Sequence, residues 1–138
     1  MSFDETLPQR TYPLLSAIIS PAEFSTASQP RSLATTSDSA IIIAENSSIE
    51  VIKSNQRVFD ITSPKFTPSS VAASGSTVAI GGEDTKVRLY QWDGKTLKQD
   101  GVLENNKGVV SALAFSPDGA WLAAGDVRIF LYRRCLGH

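Results

Sequence analysis

The sequence predicts an all-β protein, because short β-prone runs alternate with turn signals and no helical periodicity persists over three turns. One apolar run covers 109–115 and stops at the Ser-Pro-Asp-Gly tetrapeptide 116–119; further runs follow at 121–124 and 129–132. Proline at the second position and glycine at the fourth are typical of a type I turn followed by a left-handed residue. Three runs separated by two turn signals predict an antiparallel meander.

The same pattern occurs earlier in the chain and indicates an internal repeat. Residues 77–84 align on 120–126, with Gly82 over Gly125 at an offset of 43. Units of about 40 residues that hold four short strands are typical of β-propeller blades. The run 87–90 matches 129–132, and a weaker upstream copy comprises 39–46 and 49–52.

The repeats predict two full blades with a partial blade at each end. The Ser/Thr-rich stretch 25–39 contains the short segment that is expected to precede the weaker upstream copy of the repeat. We therefore interpret it as the edge of a blade, with a flexible linker as the alternative. Closed propellers need at least about four blades, so we expect a piece of a longer propeller that is marginally stable alone. The predicted bounds are 1–12 for the end of a partial blade, 13–66 for a degenerate blade, 67–107 for a blade, 108–134 for a partial blade and 135–138 for a tail.

Composition restricts the classes of partner. The 138 residues carry 14 acids and 13 bases, for a formal net charge of −1, without the basic excess that nucleic acid or an anionic membrane surface requires. Apolar runs such as 41–44 are far shorter than the ~20 residues that span a bilayer. The acidic N-terminus does not resemble a secretory signal, and the single cysteine, Cys135, excludes an intrachain disulfide framework. We therefore expect an intracellular chain that binds neither nucleic acid nor membrane.

The residues offer little support for catalysis or cofactor binding. Residues 94–96 read Gly-Lys-Thr like the end of a phosphate-binding loop, but Leu89 stands where that motif needs a glycine. Cys135 has His138 as its one possible histidine partner, and a single imidazole with scattered carboxylates does not make a metal site. We predict no catalytic residue, no cofactor, no metal and no small-molecule substrate.

Turn, loop and aromatic residues are the remaining candidates. Asp118 and Gly119 are expected to hold the tetrapeptide turn, with a positive φ at the glycine. The charged loops 83–86 and 100–107 are the better candidates for partner contact, although such loops are usually only solvated. Four aromatic residues are expected to pack in the core rather than form a recognition surface: Tyr90, Phe115, Trp121 and Tyr132.

The ordered set of motifs resembles the actin-interacting protein 1 family of WD-repeat proteins. The Ser-Pro-Asp-Gly turn is common to WD repeats in general, whereas the complete set in unbroken order over residues 2–132 is specific. The resemblance implies WD40-type β-propeller blades, from part of the family's second propeller. The motifs that carry it are 2–7, 28–34, 68–72, 78–84 with 87–90, and 114–119 with 122–126.

The family has two tandem propellers that bind actin filaments decorated with cofilin and promote their disassembly. The resemblance therefore implies actin filaments and cofilin as partners, a location at the cytoplasmic actin cytoskeleton, and surface complementarity in place of catalysis. Two alternatives remain open: a WD-repeat scaffold of another complex and, more remotely, a hydrolase or nucleotide-binding enzyme.

The resemblance also implies two further turn residues, and one feature of WD repeats is missing from this sequence. Asp84 lies where WD repeats place a buried aspartate between the second and third strands, and Asp126 is its weaker equivalent in a shorter loop. Both are expected to hold turns rather than contact a partner. The WD dipeptide is missing from its expected place at 90–91, and we interpret the Trp-Asp pair at 92–93 as coincidental.

Overall fold

The protein is described here by a computed structural model that covers residues 24–134, and all of its regular elements are β-strands. This result confirms the predicted all-β class. The strands form three antiparallel sheets, each in meander order. Sheet 1 contains β1 (Pro30–Thr35), β2 (Ile41–Glu45), β3 (Ser48–Lys53) and β4 (Gln56–Thr62). Sheet 2 contains β5 (Pro68–Ser74), β6 (Thr77–Gly82), β7 (Val87–Trp92) and β8 (Leu97–Leu103). Sheet 3 contains β9 (Ala112–Phe115), β10 (Trp121–Gly125) and β11 (Ile129–Arg133).

The sheets stack face to face in chain order, as blades of a β-propeller do. β1 packs against β5, and β5 packs against β9, so the first strand of each sheet contacts the first strand of the next. Because β1 lies inside the Ser/Thr-rich stretch 25–39, that stretch is a blade edge rather than a linker.

Two apolar layers hold the stack together, one on each side of sheet 2. Side chains alternate between the faces of a strand, so β6, β7 and β8 of sheet 2 contribute to both layers. The layer between sheets 1 and 2 is built mainly from Ile42, Ala44, Ile49, Val51, Val71, Val78, Ile80, Tyr90 and Trp92. The layer between sheets 2 and 3 is built mainly from Ala79, Val87, Val110, Leu122 and Ala124.

The pairing of the hairpins corrects the alignment of the repeats. Gly81 lies opposite Val87 in the β6–β7 hairpin, and Gly125 lies opposite Ile129 in the β10–β11 hairpin. Since Val87 and Ile129 begin the matching strands, Gly125 corresponds to Gly81, and its alignment on Gly82 is wrong by one residue. The correction matters because a shift of one residue exchanges the two faces of a strand.

The Trp-Asp pair at 92–93 lies at the end of β7. Tyr90 lies opposite Val78 as Tyr132 lies opposite Leu122, so the pair falls two positions after the place of the dipeptide in the repeat, and its interpretation as coincidental stays a prediction. Trp92 is buried, and its indole N–H donates a hydrogen bond of 3.0 Å to Asp38 Oδ2 in sheet 1. This hydrogen bond joins sheet 2 to sheet 1.

Several predictions fall on parts of the chain outside the described residues. These are the partial blade 1–12, the first residues of the blade 13–66, and the tail 135–138 with Cys135 and His138. The three sheets lie within 13–66, 67–107 and 108–134, but the boundaries themselves stay a prediction. Within residues 24–134, no helix is long and apolar enough to cross a membrane.

Candidate interaction surface

The connections that join strands at one end of the stack form a continuous rim, which we call the loop edge. Within sheets 2 and 3 the connections are tied to their neighbours by backbone hydrogen bonds, from Glu83 N to Thr67 O at 3.0 Å and from Val110 N to Gly82 O at 3.3 Å. The loop edge comprises 46–47, 63–67, 83–86, 104–111 and 126–128.

Ion pairs fix the middle of the loop edge. Arg31 of sheet 1 contacts Glu83 of sheet 2 at 2.7 Å, and its guanidinium also donates to Pro68 O at 3.1 Å. The Arg88 guanidinium forms a two-pronged pair with Asp84 at 3.1 and 2.7 Å. Surface pairs of this kind contribute little free energy, about 0–1 kcal/mol each, so their main effect here is to orient the loops.

The WD-repeat pattern predicts a buried aspartate at position 84, but Asp84 is exposed. Its carboxylate accepts a hydrogen bond from Lys86 N at 3.3 Å, as a turn residue would. Hydrogen bonds from Arg88, followed by the one from Lys86, lower the pKa of Asp84 below its usual value, although some loss of hydration opposes them. Arg88 in turn lies 3.9 Å above the ring of Phe66, which connects this hairpin to the 63–67 connection.

Asp126 joins two loops. It accepts hydrogen bonds from the backbone N–H groups of Arg128 at 2.6 Å, Lys107 at 2.8 Å and Gly108 at 3.0 Å. The bonds from Arg128 and Lys107 are the largest causes that hold the pKa of Asp126 far below its usual range. The β10–β11 hairpin is therefore attached to the 104–111 connection through one carboxylate.

Asn106 supports the same region, although nothing in the sequence singled it out. Its side chain is buried, donates from Nδ2 to Ala124 O at 3.3 Å, and accepts from Tyr132 Oη at 3.1 Å. An asparagine in a charged loop gives no sequence signal of burial, because such loops are rich in exposed polar residues. The structure also places 100–103 of the predicted loop 100–107 in β8.

Asp118 and Gly119 lie at the opposite end of the stack from the loop edge. Asp118 accepts from Ser116 Oγ at 2.6 Å and from Ala120 N at 3.0 Å, in that order the main causes that lower its pKa. Gly119 has a φ of +72° and donates from its backbone N to Ser116 O at 2.8 Å. These contacts fit a turn-holding role for both residues, which stays a prediction.

Replacing Gly119 with alanine should destabilise the chain by about 1–2 kcal/mol, the cost of a left-handed conformation for a residue with a side chain. A Cβ at this position would also lie 2.7 Å from Ser74 Oγ. Urea denaturation of the full chain measures the loss. Gly119→Asn should lose less, because asparagine tolerates positive φ, and an equal loss for both variants would show that backbone conformation is not the cause.

The aromatic residues divide into two groups. Tyr90 is buried, and Phe115 and Tyr132 are partly buried against the layer between sheets 2 and 3. Trp121, however, is 42% exposed, so its assignment to the core is wrong. Its strand position places it on the face of β10 opposite Leu122, which packs against sheet 2.

Sheet 1 contains a buried acid pair that the sequence did not predict. Glu45 and Glu50 have almost no exposed surface. Glu45 Oε1 accepts from Ser48 Oγ at 2.5 Å. Glu50 accepts from Ala27 N at 2.6 Å and from Arg57 Nε at 2.5 Å. Neither acid lies in a recognisable motif, so sequence alone gave no signal.

The two acids of this pair have opposite protonation preferences. Burial raises the pKa of Glu45, whose Oε2 has no hydrogen-bond partner among the described residues. Burial opposes ionisation of Glu50 as well, but hydrogen bonds from Ala27 N and Arg57 together lower its pKa. The arrangement therefore favours one neutral acid and one carboxylate.

Charges of both signs without an ion pair remain on the loop edge. Arginines engage Glu83 and Asp84, whereas Lys65, Lys86 and Lys107 make no ion pair within residues 24–134, and neither do Glu104 and Asp126. Acidic groups of a partner would gain electrostatic attraction at these lysines. No group of three or more potential metal ligands occurs in the described part of the chain.

Comparisons with known proteins identify the repeat. The family described as "WD domain, G-beta repeat" matches residues 97–127. The chain is 42% identical over 100 residues to WD repeat-containing protein 1 of Bos taurus, a match that covers 71% of this chain and 16% of that protein. It is 36% identical over 103 residues to a 66 kDa stress protein of Physarum polycephalum, covering 72% of this chain and 17% of that protein. The chain thus spans about a sixth of the length of the curated relatives it matches.

The fold is also found in a solved structure. One chain of a structure titled "Crystal Structure of Mitotic Checkpoint Complex" superposes with a TM-score of 0.71 over 83% of this chain and 41% of that chain. The sequence identity is 15%, so this likeness shows the β-propeller fold alone.

Proposed function

Because the chain is a WD-repeat protein that resembles WD repeat-containing protein 1, the actin-interacting protein 1, we propose that it binds actin filaments and promotes their cofilin-dependent disassembly. The observation that carries this proposal is the 42% identity over 71% of the chain. The chain spans 16% of that relative, so the activity of a whole protein of this kind is part of the proposal. The partners are actin and cofilin, and the location is the cytoplasmic actin cytoskeleton.

The proposed mode of action is binding, without catalysis or a cofactor. Stacked WD-repeat sheets present loops at their rims, and specificity then depends on the shape and charge of those loops. We assign the contact to the loop edge, because its lysines Lys65, Lys86 and Lys107 are exposed or partly exposed and make no ion pair within residues 24–134. Such a contact should weaken as salt concentration rises.

Co-sedimentation of the full chain with actin filaments tests the proposal directly. We expect pelleting that depends on cofilin, and faster filament shortening when cofilin is present. If the chain stays in the supernatant under both conditions while it captures another protein complex, the proposal fails and a different WD-repeat scaffold role is favoured. Turnover of an ester or a nucleotide that is lost on removing Cys135 or Lys95 would favour an enzyme.

Reversing two charges on the loop edge, Lys65→Glu with Lys107→Glu, should weaken cofilin-dependent pelleting about tenfold. Two lost charge contacts of about 0.7 kcal/mol each correspond to that factor. The control is Lys95→Glu with Lys98→Glu, which changes the net charge equally at positions away from the loop edge and should keep pelleting unchanged. Equal weakening by both double variants would show that only net charge matters and would refute the assignment to the loop edge.

A further inference from the structure

Four pairs in the sequence place a proline directly after a serine or a threonine: 20–21, 63–64, 67–68 and 116–117. Proline has a fixed φ and no backbone N–H, so an enzyme that modifies a hydroxyl group can recognise the residue after it by shape. Proline-directed protein kinases require this pair in their substrates. The pair 20–21 lies outside the described residues, and the other three differ in their surroundings.

Two of these three pairs are occupied by contacts within the fold. The Ser116 hydroxyl donates to Asp118 Oδ1 at 2.6 Å and accepts from Trp121 N at 3.0 Å. Thr67 is partly buried, and the proline after it is buried at the start of β5. A kinase would have to break these contacts to reach either hydroxyl group.

Ser63, in contrast, is exposed in the connection between β4 and β5, which belongs to the loop edge. Its φ of +53° is a left-handed conformation, which is unfavourable for a residue with a side chain. A residue before proline prefers an extended conformation. Since kinases bind their substrates in extended form, binding would relieve this strain.

The residues that precede Ser63 are accessible as well. They form β4, which is the outer strand of sheet 1, and most of its side chains are exposed. A neighbouring sheet in a propeller covers a face of sheet 1, whereas Ser63 lies on the rim, between two four-stranded sheets. The accessibility of Ser63 is therefore a property of the loop edge.

The surroundings of Ser63 also suit a phosphate group. Ser63 borders an open recess of about 390 Å³ together with Asn46, Ser47 and Lys65. These three side chains are exposed and carry an amide, a hydroxyl and an ammonium group as hydrogen-bond donors. Hydrogen bonds between charged groups and phosphate are roughly twice as strong as neutral ones. Lys65 makes no ion pair within residues 24–134 that a phosphate would have to displace.

We propose that Ser63 is a phosphorylation site of a proline-directed protein kinase and that Lys65 pairs with the phosphate. In the reaction, Ser63 Oγ attacks the γ-phosphorus of a nucleoside triphosphate bound to the kinase. An O–P bond forms, the bond from the γ-phosphorus to the β,γ-bridging oxygen breaks, and the nucleoside diphosphate leaves with that electron pair. The hydroxyl proton passes to a carboxylate base of the kinase.

Phosphorylation would change the charge of the loop edge. A phosphate adds about −1.5 to −2 at pH 7 and engages Lys65, one of the lysines to which we assign the partner contact. This consequence rests on the proposed function. We expect cofilin-dependent pelleting of the phosphorylated chain to weaken about threefold, the factor for one lost charge contact. Equal pelleting of both forms would refute the consequence, whereas the kinase reaction is measured without actin.

Treatment of the full chain with an active mitogen-activated protein kinase and ATP, followed by tryptic peptide mass spectrometry, tests the site. Cleavage after lysine and arginine places the four pairs in separate peptides: 11–31, 58–65, 66–86 and 108–128. We expect phosphate on 58–65 to form at least about tenfold faster than on 66–86 or 108–128, since one broken hydrogen bond corresponds to a factor of that order. Ser63→Ala and Pro64→Ala should each abolish this product.

Synthetic peptides with the sequences 57–69 and 110–122 control for the preference of the kinase, because they lack the fold. The rate in the chain relative to that in the peptide should be near unity for Ser63 and far lower for Ser116. Equal ratios, or a chain that takes no phosphate at Ser63, would overturn the proposal.

The pairing with Lys65 has its own measurement. A nearby cation favours the doubly charged phosphate, so Lys65→Ala should raise the second pKa of the Ser63 phosphate, followed by ³¹P NMR. Lys98→Ala, at an exposed position away from the loop edge, is the control and should leave that pKa unchanged. The same pKa in both variants would refute the pairing.

Discussion

Glu50→Gln is expected to lower the free energy of unfolding by about 2 kcal/mol at pH 7, whereas Glu45→Gln should change it by less than about 1 kcal/mol. Hydrogen bonds to a charged group contribute about 1.5–3 kcal/mol, and Glu50 accepts such bonds from Ala27 N and from Arg57. We place the loss in the lower part of that range because the Arg57 side chain is 42% exposed. Glutamine at position 45 replaces an acid whose neutral form is already favoured.

The pH dependence of stability should distinguish the two acids. The lowered pKa of Glu50 stabilises the fold above the usual glutamate pKa of about 4.3, and this contribution is lost as the pH falls through the lowered value. The raised pKa of Glu45 acts in the opposite sense, because its contribution is complete below about 4.3 and is lost as the pH rises through the raised value. The loss caused by Glu50→Gln should therefore shrink in acid.

Urea denaturation between acid and neutral pH, followed by the fluorescence of buried Trp92, measures both variants. The two substitutions are chemically identical and lie in neighbouring strands of the same sheet, so each controls for the other. Equal losses at pH 7 would mean that both acids carry charge, and the interpretation of a mixed pair would then be wrong.

Gly81→Ala is expected to destabilise the chain by about 1–3 kcal/mol, the usual cost of overpacking a well-packed interior. A Cβ at Gly81 would lie 2.6 Å from Ser70 Oγ and 2.6 Å from Val110 Cγ1. Ser70 and Val110 have little freedom to retreat, since Ser70 Oγ donates to Val110 O at 2.9 Å across the junction of sheets 2 and 3. The substitution therefore separates the two sheets or distorts β6.

Gly101→Ala is the matched control for this prediction. Gly101 also lies in a strand of sheet 2, and a Cβ there would meet only Leu89 Cδ1 at 3.8 Å, an ordinary contact. It should be neutral or slightly stabilising, because alanine restricts the unfolded chain more than glycine does. Denaturation curves of the two variants measure this difference in stability. If Gly101→Ala lost as much stability as Gly81→Ala, the close approach of the added Cβ to its neighbours would not be the cause.

The candidate surface was only partly predictable from the sequence. Turn chemistry located the hairpin of Asp84 and Lys86, because Gly, Asp and Thr between β-prone runs signal a connection. The exposure of Asp84, the burial of Asn106 and the buried pair Glu45 and Glu50 were not predictable. The burial of Asn106 and of the acid pair depends on residues at least 17 positions away, as in the bonds of Asn106 to Ala124 O and of Ser28 N to Glu45.

The all-β class, the repeating four-strand unit and the turn at 116–119 were predictable, because alternation of side chains and turn chemistry are local properties of the chain. The covered face of each strand, in contrast, follows only from the packing of the sheets. That packing placed Trp92 against Asp38 of the neighbouring sheet and left Ile129 exposed where Val87 is buried. The physical reason is that burial depends on the next sheet in the stack, and equivalent residues in a repeat differ in their neighbours even when their local sequence is alike.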